Sequence, residues 1–128
     1  MNSPLQHSAF PVPGAQLSTS YSDEHGQAVI QLHGLTSSRQ RDRLLDLDLG
    51  RGLSGTRLLR YDARGHGTST GRAASTDYQW DTLAGDLLML LDAHFPHEQV
   101  HGVGPSMGCA TLLKAAVLNP DRFSGFTL

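Results

Sequence analysis

Cysteine is almost missing from this sequence. Cys109 is the only one among 128 residues, so no internal disulfide can form, and a reducing cytoplasm is the natural compartment. An excess of one charge is missing too. Ten Lys and Arg stand against 12 Asp and Glu, a net charge of −2 at pH 7. With both signs interspersed, nothing electrostatic points to nucleic acid or to a membrane as partner. No apolar run approaches the roughly 20 residues that a membrane span needs. The N-terminal stretch MNSPLQHSAFPVPGAQ has no basic start and no continuous apolar centre, so it does not read as a secretory signal. Internal repeats and low-complexity segments are absent. What is left has the composition of a globular protein, long enough for one domain with a modest core.

The pattern that is present alternates strands and helices. Residues 1–14 carry three prolines and read as an irregular leader; residues 15–128 read as the domain. AQLSTSYS (Ala15–Ser22) alternates weakly and is expected to be an early antiparallel strand. AVIQL, TRLLRY, QVHGVG and FSGFTL are short apolar runs bounded by turn residues, as buried strands are. Between them lie three helical patterns. The first opens on possible caps at Thr36, Ser37 and Ser38, continues through leucines at 44, 45, 47 and 49, and stops at Gly50. The second repeats Leu83, Leu87, Leu90 and Leu91 at helical spacing, with Asp77 and Asp81 near its positive end, and Pro96 ends it. The third, MGCATLLKAAVLN, stops at Asn119–Pro120. Such alternation predicts an α/β fold, a mostly parallel sheet flanked by helices on both faces. Ligands then sit beyond the carboxyl ends of the strands, where the glycine loops HGL, DARGHG and GPSMG would gather.

The chemistry concentrates in VGPSMGC (Val103–Cys109). A Gly-x-Ser-x-Gly turn between an apolar strand and a helix is the setting of a nucleophile elbow. Side chains two residues either side of Ser106 would collide with neighbouring backbone, and Gly104 and Gly108 remove that clash. Ser106 is then held with its hydroxyl exposed at a helix start, and the Met107 N–H points at the reacting oxygen. Acyl transfer needs a second donor. The N–H of Leu35, at the end of LHGL, is the candidate, and Gly34 lets that backbone come close.

VIQLHGLTSS, LLRYDARGHGTS and VHGVGPSMGCATLLKAAVLNPDRF together resemble the N-terminal half of α/β-hydrolase fold enzymes, over about residues 15–128. The nearest branches in style are the esterases, enol-lactonases and cofactor-free haloperoxidases. The resemblance implies an α/β-hydrolase fold that stops before the C-terminal strands and lid. It implies Ser106 as nucleophile, Leu35 and Met107 as oxyanion donors, no cofactor, and a small-molecule ester or lactone as substrate. It does not imply a dehalogenase, which has Asp at the position of Ser106. Two residues depart from the pattern: Pro105 stands where the family often has His or another polar residue, and Cys109 where Gly or Ala is common. In this fold the triad runs Ser, then Asp or Glu, then His. Only 22 residues follow Ser106, and none is histidine. The resemblance therefore places acid and base beyond Leu128, and a serine without its base is a weak nucleophile.

Other polar residues invite blander readings. His33 and His66 are expected to fix their loops by hydrogen bonds rather than act as bases. Asp62 and Arg64 are expected to pair with each other. Cys109 reads as a small packed residue. His94, His97 and His101 need not converge, so no metal site is expected. GVGPSMG also reads Gly-x-Gly-x-x-x-Gly, close to a dinucleotide-binding Rossmann fingerprint, with Asp121 as the distant acid. But Asp121 precedes its strand and two buried strands precede the motif, so that alternative is the weaker one. The other alternative is an inactive hydrolase half that serves only as an interaction module. Its difficulty is stability: five or so large side chains left wet forfeit on the order of 10 kcal/mol, comparable to a whole domain's stability of about 5–15 kcal/mol. The chain alone is therefore expected to be unstable, to self-associate through the open sheet edge, or to be completed by further sequence.

Overall fold

A computed structural model describes residues 6–22, 26–35, 37–44 and 56–128. Among these residues the strands and α-helices succeed one another as β1 (Gln6–Val12), β2 (Ala15–Ser22), β3 (Gln27–Gln31), α1 (Arg39–Leu44), β4 (Thr56–Tyr61), α2 (Trp80–His94), β5 (Val100–Val103), α3 (Met107–Leu118) and β6 (Phe123–Thr127). The six strands form one sheet in the order β1-β2-β4-β3-β5-β6. The first two pairings are antiparallel and the remaining three parallel. The expected α/β sheet is therefore present.

One expectation is corrected. Residues 6–12 are not an irregular leader: they pair along their whole length with β2, from Gln6 opposite Tyr21 to Val12 opposite Ala15. The prolines mislead here because Pro11 lies on an edge strand, where a missing N–H is tolerated. Two expected features of α1, the cap at Thr36 and the leucines after Leu44, lie outside the described residues.

Period-two alternation decides what each face of the sheet buries. Leu17, Ile30, Leu59 and Tyr61 face α2 and α3 and belong to the main core. On α2 the stripe Leu83, Leu87, Leu90 and Leu91 is buried within that same core. Each buried leucine stabilises the fold by about 2 kcal/mol relative to exposure. Arg60, next to Tyr61, points to the opposite face and donates to the Arg39 carbonyl at the start of α1, at 3.1 Å. Helices thus cover both faces.

The parallel order β4-β3-β5 brings the three glycine loops to one end of the sheet. Leu32 N–H donates to the Val103 carbonyl at 2.8 Å, which sets LHGL beside GPSMG. At the far edge β6 pairs with β5 alone among the described residues. Leu113, Val117, Leu118 and Leu128 lie exposed nearby in the chain. No helix among the described residues is long and apolar enough to cross a membrane.

Candidate active site at the nucleophile elbow

β5 ends at Val103 and α3 begins at Met107, so only three residues turn the chain. Ser106 takes the strain. Its φ is 52° and its ψ is −117°, the one positive φ on a non-glycine residue among those described. Such a conformation costs on the order of 1–3 kcal/mol. Tight packing below the turn enforces it. A Cβ on Gly108 would lie 2.8 Å from Leu32 Cβ and 3.0 Å from the His33 carbonyl oxygen, and one on Gly104 would lie 3.2 Å from the Gly108 carbonyl carbon. Neither glycine can carry a side chain without moving the β3 loop, as the sequence implies.

The result is an exposed hydroxyl beside unengaged amides. Ser106 makes no capping hydrogen bond to α3. The turn is closed instead by Pro105, whose carbonyl accepts from Gly108 N–H at 2.9 Å. Met107 N–H, at the first position of the helix, has no partner among the described residues, as expected for a helix start. Leu35 N–H has none either. Gly34 faces the serine: a Cβ added there would lie 3.8 Å from Ser106 Cβ. Leu35, Ser106 and Met107 line one groove of about 530 Å³, together with His66, Tyr78, Trp80, Leu83 and Ala110. The residues named from the sequence thus come together.

The loops around the groove are held by polar contacts. His33 Nδ1 donates to the Gly34 carbonyl at 2.8 Å, and its Nε2 accepts from Ala63 N–H at 3.0 Å. Both ring nitrogens are engaged, so His33 is a loop clamp and holds no proton site for Ser106. Burial keeps its pKa below the ordinary value. His66 Nδ1 lies 2.9 Å from the Arg64 carbonyl, a loop contact of the expected kind.

Asp62 and Arg64 do not pair with each other, contrary to expectation. Asp62 accepts from the Arg39 and Thr68 amides at 2.8 and 3.1 Å and from the Arg39 guanidinium. Burial alone pushes the Asp62 carboxyl up, but those hydrogen bonds and the Arg39 charge together hold it below its usual value. Arg64, 1% exposed, makes a two-pronged bond to Asp86 on α2, both contacts at 2.8 Å, and reaches Asp77 at 3.2 Å. Arg72 closes on Asp77 from outside at 2.8 Å. Strand alternation would put residues two apart on one face, but both lie beyond the end of β4, and the chain turns between them so that Asp62 meets Arg39 of α1 and Arg64 meets Asp86 of α2. Asp77 therefore sits in a short 3-10 turn (Ser75–Tyr78) bound to arginines, not at the α2 dipole. One signal for this network was present: Asp86 lies on the leucine face of α2, where a carboxylate needs a partner.

Among the described residues no three metal-ligating side chains converge, and His94 and His101 turn to different neighbours. Asp121 lies in a 3-10 turn before β6 rather than at a strand's carboxyl end, as no dinucleotide acid would.

Residues 27–128 match the family model for the alpha/beta hydrolase fold. The chain belongs to the α/β-hydrolase fold family. Solved structures agree. An epoxide hydrolase mutant of Vigna radiata superposes with a TM-score of 0.80 at 25% identity, over 95% of this chain and 37% of that one. Epoxide hydrolase A of Mycobacterium thermoresistibile gives 0.79 at 26% identity, over 96% of this chain and 38% of that one. A thioesterase domain from the curacin biosynthetic pathway shares the fold at TM-score 0.79 and 22% identity, over 97% of this chain and 45% of that one. The α/β-hydrolase chain described here thus spans less than half the length of each. No curated protein sequence matches it.

Proposed function

We propose that this chain carries the nucleophile and oxyanion hole of a serine hydrolase acting on a carboxylic ester or lactone. One observation carries the reading: an exposed hydroxyl at positive φ, in one groove with the Leu35 and Met107 amides, which have no partner among the described residues. Ser106 Oγ adds to the carbonyl carbon, and the C=O electron pair moves onto oxygen, where the two amides receive it. The bond to the alcohol oxygen then breaks, and the hydroxyl proton leaves with the alcohol. Water adds to the acyl-enzyme in the same way and releases the acid. Each aimed amide contributes about 3–4 kcal/mol to such a step.

The solved neighbours include epoxide hydrolases, but a serine favours acyl chemistry. Attack of Oγ on an epoxide carbon gives an ether. An ether has no carbonyl for water to attack, so the enzyme would stop after one turnover. An acyl-serine is an ester and turns over.

The base and its acid belong, by the family pattern, to sequence beyond residue 128. His33 is engaged at both nitrogens, and no histidine follows Ser106. The 128 residues alone turn over slowly, through the oxyanion hole. Exposed Leu113, Val117 and Leu118 favour a second reading, an inactive module that binds through this apolar side.

A fluorophosphonate probe with mass-spectrometric mapping separates the two. The adduct is expected on Ser106, formed slowly and accelerated by added imidazole, which supplies the absent base. Ser106→Ala abolishes it. No adduct at Ser106 even with imidazole overturns the hydrolase reading and favours the module.

A further inference from the structure

The groove beside Ser106 has an uneven lining. Leu35, Tyr78, Trp80, Leu83, Met107 and Ala110 form its walls, and no Asp, Glu, Lys or Arg is among the lining residues. Leu35, Tyr78 and Trp80 are 64%, 39% and 49% exposed, so large apolar side chains stand open around the nucleophile. The charges closest in sequence are engaged elsewhere. Asp77 is tied to Arg64 and Arg72, and Asp81 pairs with Lys114 at 3.0 Å. A charged acyl group entering here would lose water and meet no counter-ion.

Besides Ser106, His66 is the lining residue with a ring nitrogen that can accept; the Tyr78 hydroxyl and the Trp80 indole N–H are the other polar atoms on otherwise apolar rings. His66 Nδ1 lies 2.9 Å from the Arg64 carbonyl oxygen, which can only accept. A neutral ring with this contact carries its proton on Nδ1 and keeps Nε2 as an acceptor. Nε2 has no partner among the described residues. The ring is held on its other side as well, 5.3 Å from the His33 ring between centroids. Arg64, which supplies the carbonyl, is itself fixed by Asp86 and Asp77. An acceptor oriented this firmly in an apolar groove selects for a donor.

We infer that this groove takes an uncharged, mainly apolar acyl group, packed on Trp80 and Tyr78, and that His66 accepts a hydrogen bond from a hydroxyl or amide N–H on it. The inference rests on the proposed acyl chemistry at Ser106 and names the substrate class: esters of hydroxylated or amidated apolar acids. His66 is a specificity-determining residue here.

The molecule supplies its own probe, because Trp80 is the only tryptophan. Three amides serve as unreactive acyl analogues: 3-phenylpropanamide, its 2-hydroxy derivative and succinamate. They are titrated against Ser106→Ala while Trp80 fluorescence is followed. Both phenyl amides are expected to change the emission saturably. The hydroxylated one binds about fivefold more tightly, the worth of one net hydrogen bond. Succinamate produces no saturable change. In His66→Phe on the same background the hydroxyl preference disappears, and in His66→Gln, which keeps an acceptor, it returns in part. Succinamate binding as tightly as the phenyl amides overturns the inference, and so does a hydroxyl preference that survives His66→Phe. Fluorophosphonate labelling of the unmutated chain is scored separately. If Ser106 takes no label while the amides bind as described, the catalytic reading fails and the groove assignment stands.

Discussion

Two glycine-rich loops meet at the carboxyl end of the sheet, and they handle their polar groups in opposite ways. The loop after β4, from Asp62 to Arg72, ties down its charged side chains: Asp62 collects donors from Arg39 and Thr68, and Arg64 binds Asp86, Asp77 and the Pro13 carbonyl. The elbow after β5 is the reverse. It holds a non-glycine residue at φ 52°, leaves its hydroxyl exposed and leaves the Met107 amide open. In sequence the two look alike, with small residues, glycines and a few polar side chains. In structure one loop is a brace and the other is a site. The difference lies in what each leaves unpaired.

Substitutions can break that contrast from either side. The largest expected effect is on the brace. Arg64→Ala strands the Asp86 carboxylate on the buried face of α2, and losing one partner of a buried pair typically costs about 3–5 kcal/mol. Urea denaturation should show a loss of unfolding free energy of that size; a change within about 0.5 kcal/mol would mean that the network is ornamental. Gly108→Ala comes next. Its Cβ would meet Leu32 Cβ at 2.8 Å and the His33 carbonyl at 3.0 Å. Overpacking of this kind costs about 1–3 kcal/mol, and labelling of Ser106 should slow with it as the β3 loop moves. Ser106→Gly has the opposite sign. Glycine relieves the positive φ, so stability is expected to rise by roughly 1 kcal/mol while all labelling is lost. A loss of stability would mean that the turn is not strained.

The smallest effect is one of pH. Burial lowers the folded pKa of His33 below its ordinary 6.5. The unfolded chain therefore takes up a proton near pH 6.5 that the folded chain refuses. Stability from the neutral clamp is complete above that pH and declines as pH falls through it toward the folded value. Difference denaturation curves against His33→Gln, at pH 7.5 and 5.5, should show this slope in the parent only.

Much of this was legible in the residues. Strands of four to eight apolar residues, the leucine stripe of α2 and the elbow motif carry their physics locally, and each lies where the pattern put it. A Cβ at Gly104 or Gly108 would meet the crowding that the motif implies. The misses share a cause: they depend on partners distant in the chain. β1 is a strand because β2 pairs with it, which three prolines in 14 residues conceal. Asp62 and Arg64 are separated by the turn of the chain after β4 and by their distant partners on α1 and α2. Tyr78, Trp80 and His66 join Ser106 from two separate segments, and nothing in either segment announces a groove.

The most direct measurement is a crystal structure of the phosphonate adduct. Its phosphorus stands for the tetrahedral carbon, and one of its oxygens for the oxyanion. That oxygen should lie about 2.7–3.1 Å from both the Leu35 and the Met107 nitrogens, with phosphorus bonded to Ser106 Oγ. An adduct whose oxygens face solvent, with either amide turned away, would contradict the site described here.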